Sequence, residues 1–199
     1  MKTDVITVSS RGKRMESALG LVDKVAAYKE LPPKSALHLR LLAEEMMQMM
    51  RSITGETEGQ FWIEDEHGEY QLHLQVATRL STEKREQLLS VSASGKNESA
   101  RGIMGRLREF FDWGCDEDYD GFSSSYLPDA LEHSASPMVD WEWSMRRYEN
   151  ELTSRIDRDE YAREAWDELE KSVVKNVADD VKVAIRNGSV EMIILKKLA

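Results

Sequence analysis

At 199 residues, 41% hydrophobic and 32% charged, the chain has the length of one large ordinary domain and the composition of a soluble globular protein with a charge-rich surface. No run approaches the roughly 18 apolar residues of a membrane helix, and the opening MKTDVITVSSRGKR is basic without an apolar signal core. A net charge of −10 argues against sequence-independent binding to DNA or RNA, which needs a basic patch, and the single cysteine, Cys115, makes no internal disulfide, so a cytoplasmic setting is expected.

Asp4 to Ser9 is a β-branched run and reads as a strand. Arg14 to Leu31 carries Met15, Leu19, Val22, Val25 and Ala26 at helical spacing, and Pro32–Pro33 ends it. Pro33 to Ile53 is the central helix: Leu39, Leu42, Met46, Met49 and Ile53 recur at steps of three and four. Glu45 lies beside that stripe. Its carboxylate either reaches solvent at the edge or is aimed into a pocket.

Gln60 to Glu66 and Glu69 to Ala77 read as a hairpin about His67-Gly68. Tyr70, Leu72, Leu74 and Val76 face one way, while Gln71, His73 and Gln75 face a wet side. Ser81 to Val91 and Ser99 to Trp113 are predicted helices separated by a polar loop, and Gly114 to Val139 is a long acidic loop. Trp141, Met145, Tyr148, Leu152 and Ile156 mark another helix. Asp157-x-x-Glu160 resembles a capping box for one more, which carries Tyr161, Ala165, Leu169, Val173 and Val177. Val181 to Arg186 and Ser189 to Lys196 flank Asn187-Gly188, a type I′ turn signal. No internal repeat is visible. The expected fold is α/β (α+β): a two-layer sandwich of a mixed, mainly antiparallel five-stranded sheet with helices on one face.

Few motifs carry chemistry. Asp116-x-Asp118-x-Asp120-Gly121 begins like a calcium loop, but its twelfth position is Leu127 rather than a bidentate Glu. Ser94-Gly95-Lys96 lacks the rest of a phosphate loop. Four histidines and one cysteine, widely scattered, give no zinc pattern, so no metal ligand is assigned. Gly102-x-x-Gly105, near a helix start, either admits a ligand to free N–H groups or packs closely on the central helix.

Leu41-Leu42-Ala43-Glu44-Glu45-Met46-Met47-Gln48-Met49 is similar to the N-box helix of the GHKL (histidine-kinase-like) ATPase superfamily, and Gly102-Ile103-Met104-Gly105 looks like its glycine-containing helix start. The closest branch resembles the small bacterial anti-sigma-factor-type kinases. The resemblance covers residues 1–113 and 179–199. It implies a single Bergerat-like domain over 1–199, with 114–178 as a loop and helical insertion. It also implies a nucleotide site made of Glu45, Met49, Lys96, Arg101, Gly102 and Gly105. Two positions depart from the family. The metal-holding asparagine is replaced by Met49, and the adenine-reading D-x-G-x-G is replaced by Ala77-Thr78-Arg79-Leu80-Ser81.

The expectation is therefore a regulatory or binding protein with a degenerate fold of this kind, without catalysis and without a cofactor. Its partner would be a protein or a second copy, with neither nucleic acid nor membrane. The aromatic side chains Trp141, Trp143, Tyr148 and Trp166 either form that partner surface or simply cover the sheet. The alternative is an ATP- and Mg²⁺-dependent serine kinase of the anti-sigma type. Glu45 would then be its general base, Gly102 and Gly105 its phosphate cradle, and Lys96 or Arg101 a phosphate partner.

Overall fold

The computed structural model describes residues 1–9, 13–54, 58–77, 141–186 and 189–198. In chain order these form β1 (Ile6–Ser9), α1 (Lys13–Tyr28), α2 (Pro33–Thr54), β2 (Glu58–Glu66) and β3 (Glu69–Ala77). Then follow β4 (Trp141–Ser144), α3 (Met145–Arg155), α4 (Glu160–Glu170), α5 (Val173–Val177), β5 (Asp180–Arg186) and β6 (Ser189–Lys197). The expected α/β sandwich is present. The predicted helices over 81–91 and 99–113, the loop over 114–139 and the Asn187-Gly188 turn lie outside the described residues.

The sheet order is β1-β2-β3-β6-β5-β4, and every neighbouring pair is antiparallel. Six described strands thus replace the expected five, and no described pairing is parallel. The sixth is β4, where the spacing from Trp141 predicts a helix. Trp-Glu-Trp-Ser alternates with period two, and the helix begins only after it. Ser144 is the N-cap, with extended backbone, and its Oγ accepts from Arg147 N at 3.2 Å. Asp180, buried at 6% exposure, fixes this helix start to β5. Its Oδ1 accepts from the backbone N–H of Arg146 (3.1 Å) and Val181 (2.9 Å).

Helix α1 ends where Glu30 takes a left-handed φ of 51°. The Leu31 N–H then returns to Ala26 O at 2.9 Å, which satisfies a terminal carbonyl. Pro32 and Pro33 follow, and α2 starts at Pro33 as expected. In α4 the cap is Asp159 rather than Asp157, accepting from Tyr161 N at 3.0 Å. The single helix predicted through Val177 is broken at Lys171–Ser172, where Asn176 Nδ2 donates to Glu170 O and Ser172 O. Ala162, Ala165 and Leu169 are its buried side; Tyr161 and Val173 are exposed.

The inward face of the sheet carries Phe61, Ile63, Leu72, Leu74, Val183 and Ile194. These join Leu39, Leu42 and Met46 of α2 and Leu152 and Leu169 of α3 and α4 in one hydrophobic cluster. Residues 141–177, placed in an insertion by the resemblance, therefore supply an edge strand and part of the common core.

The strand registers reveal a symmetry that the sequence hides. Each half of the sheet runs strand, helices, two antiparallel strands, and in both the strand pairing begins across two intervening residues, Glu66 with Glu69 and Arg186 with Ser189. Across the seam Glu69 pairs with Lys197 and Ala77 with Ser189. The central pair is His73 with its own counterpart, Ile193. An approximate two-fold axis therefore passes between those two residues.

At the first hairpin turn His67 and Gly68 both have positive φ, 54° and 86°, as a type I′ turn requires. A Cβ on Gly68 would meet Leu198 O at 2.9 Å, the strand-end backbone whose own N–H binds Gly68 O. Gly68→Ala is expected to cost about 1–2 kcal/mol for the left-handed backbone alone. A lowered thermal midpoint against an unaltered His67→Asn control checks this.

Candidate functional site

Two places merit description, one on the helix layer and one on the opposite face of the sheet. On α2, Glu45 is half-buried. Burial, then the charge of Glu44, raises its carboxyl above the usual carboxylate range. Glu44 itself pairs with Arg40 (3.5 Å), which also binds Asp23 of α1. Met49, one turn further on, is 3% exposed and belongs to the hydrophobic core. Lys96, Arg101, Gly102 and Gly105 lie outside the described residues, so the site that the resemblance implies is described only through its α2 members.

The aromatic group separates. Trp141 enters β4 by its backbone, and its side chain is outside the described set. Trp143 packs against the core, with its ring centroid 6.0 Å from that of Tyr148, itself only 4% exposed. Both rings thus lie with the hydrophobic cluster. Trp166 is half-buried on α4; its Nε1–H donates to Glu170 Oε1 at 2.9 Å, and Lys175 Nζ stands 5.8 Å from its ring.

The sheet's outward face holds the more unusual arrangement. His73 does point to that side, but it is 7% exposed rather than wet. Its ring lies flat on Trp62, centroids 4.8 Å apart and planes 9° apart. Trp62 Nε1–H donates to Glu64 Oε1 at 2.9 Å. Lys2 Nζ reaches the same oxygen at 2.9 Å and stands 5.3 Å from the Trp62 ring. His73 Nε2 is 4.0 Å from Glu64 Oε1, and Nδ1 is 3.8 Å from Glu191 Oε1. Neither ring nitrogen has a hydrogen-bond partner among the described residues. Burial pushes the imidazole below its ordinary value, against the pull of Glu64 and Glu191. The Lys2 hydrogen bond, then that of Trp62, holds the Glu64 carboxyl low.

Part of this cluster was available to sequence reasoning. A two-residue turn at His67-Gly68 sets 66 opposite 69, and so Trp62 opposite His73. The contribution of Glu191 needed the β3–β6 pairing, which no local signal gives.

Compared with family models and with curated proteins, the chain matches none. No described helix is long and apolar enough to cross a membrane. Among the described residues no three His, Cys, Asp or Glu side chains converge as a metal site.

Proposed function

We propose that the chain is a regulatory or binding protein with a degenerate histidine-kinase-like scaffold that does not transfer phosphate. The observation supporting this reading is the burial of Met49 at 3% exposure. The resemblance would put a Mg²⁺ ligand at this position. A thioether is a poor ligand for a hard cation, and this one is engaged in the core. Glu45 then lacks the metal partner on which phosphoryl transfer depends. The proposal includes a protein partner or self-association, and a cytoplasmic setting inferred from the lone Cys115.

One observation favours a second reading, an ATP-dependent serine kinase of the anti-sigma type. The half-buried Glu45 has its carboxyl raised above the usual range by burial, the direction in which a general base is tuned. Thermal unfolding with ATP–Mg²⁺, and with ATP alone, separates the two. Ligand at 100 times its dissociation constant adds about 2.7 kcal/mol, a shift of roughly 5–11 °C for a chain of this size. No shift at millimolar nucleotide is expected. A Mg²⁺-dependent shift that Glu45→Gln alters would overturn the proposal in favour of the kinase.

A further inference from the structure

His73 is placed unlike any other polar group described. It sits at the centre of the β3–β6 seam, 7% exposed, with both ring nitrogens unbonded among the described residues. A buried polar group without a partner is costly, and close packing usually eliminates it. Here the packing holds it in place. The Trp62 ring supports one face of the imidazole. A carboxylate from the neighbouring strand on each side stands just beyond hydrogen-bond reach, Glu64 from β2 at Nε2 and Glu191 from β6 at Nδ1.

A neutral imidazole has one N–H and one lone pair, so it can donate to only one of two carboxylates. An imidazolium has two N–H donors on opposite sides of the ring. That matches the arrangement found: an acceptor at each nitrogen and an aromatic face beneath, which attracts a cation.

We propose that His73 is a proton-operated clamp at the centre of the outward sheet face. Uptake of one proton from solvent makes the ring a double donor. Nε2–H closes on Glu64 and Nδ1–H on Glu191, and the ring stays on Trp62 as a cation–π pair. The clamp then joins β2, β3 and β6 across the approximate two-fold axis. It also changes the charge of the face at its centre.

The other charged groups on this face set the balance. Lys2 from the N-terminal segment already holds Glu64 and opposes a further positive charge on the ring. Lys182 of β5 lies on the same face, one strand beyond, opposite Ile193. Glu69 and Lys197, at the seam's end, pair with each other at 3.3 Å. Glu191 is thus the carboxylate nearer to a ring nitrogen and without the Lys2 contact.

The sign follows from burial. The fold favours the neutral ring, so its folded-state pKa lies below the unfolded value of about 6.5. The stability linked to the neutral ring is present above that value and lost as pH falls through the folded-state pKa. The clamp therefore closes at a cost to stability, as a switch rather than a staple.

The test is an NMR titration of the full chain with ¹³C-labelled histidine. The chain has four histidines, and His73→Gln assigns the resonance. The expected result is that His73 titrates below about 6.5. Glu191→Gln and Glu64→Gln should each lower it further, by about half a unit or more. Acid quenching of Trp62 fluorescence should follow the same midpoint and vanish in Trp62→Phe. A ring that is merely buried would also titrate low but would ignore both carboxylate changes, and that result overturns the clamp. So does a His73 midpoint at or above the unfolded value. Should His73→Gln fail to fold, His38→Gln, His67→Gln and His133→Gln assign by exclusion, and the two glutamine variants of the carboxylates still decide.

Discussion

Phe61→Ala is expected to lower stability by about 3–5 kcal/mol, a fall in thermal midpoint of roughly 6–20 °C for a chain of this size. Phe61 is fully buried at a place where three strands meet, paired with Ile6 of β1 and Leu74 of β3. It belongs to the cluster that contains Leu39, Leu42 and Met46 of α2 together with Leu152 and Leu169 of the later helices. Removing the ring forfeits its transfer free energy and leaves a cavity that strands held on both sides cannot close. Gln60 is the control: it is the preceding residue, exposed on the other face, and Gln60→Ala should stay within about 0.5 kcal/mol. Urea unfolding of both variants checks the pair. A Phe61→Ala loss under about 1 kcal/mol would mean that the ring does not pack between the sheet and the helices, since even modest large-to-small core changes exceed it.

What the sequence made legible was local. The stripe on α2 and the period-two alternation of β3 arise from residues within one element, and both are present. The β4 segment shows the limit. Trp141, Met145, Tyr148 and Leu152 fit helical spacing, yet Trp141 and Trp143 also fit a strand, and only pairing with β5 decides. Met49 carried two readings at once, as a member of the stripe and as a metal-ligand position. Its burial follows the stripe. The two-fold relation between halves was illegible for a different reason. Its counterparts, Phe61 with Val181 or Leu72 with Met192, share only an inward position, and packing asks for volume rather than identity. His73 failed in a third way. Alternation states which face a side chain points to, not whether a tryptophan on the next strand covers it.

Asp65→Ala is expected to cost about 2–3 kcal/mol at neutral pH, or roughly 4–12 °C in thermal midpoint, and to lose most of that effect in acid. Asp65 is a charged residue on the inward side of β2, with its side chain 6% exposed. It is tolerated there because every oxygen is engaged. Oδ2 accepts from Lys29 Nζ at 2.5 Å, just beyond the C-terminus of α1. Oδ1 accepts from Gly68 N at 3.1 Å, in the hairpin turn. Its backbone binds the first residue, the Asp65 N–H donating to Met1 O at 2.8 Å. One side chain thus ties a helix end to a turn. The Lys29 hydrogen bond, chiefly, holds its carboxyl below the usual range. The sign is that of a depressed acid: the contribution is present above the unfolded value of about 3.9 and is lost as pH falls through the folded one. Wild type and Asp65→Ala should therefore differ clearly at pH 7 and converge in acid, once the pH is below the folded value. Asp65→Asn, which keeps the shape and can still accept from Gly68, should fall between them at neutral pH. Urea midpoints of the three proteins at both pH values make the measurement. A gap between wild type and Asp65→Ala that is equally wide in acid would assign the loss to packing and the turn, not to the ion pair.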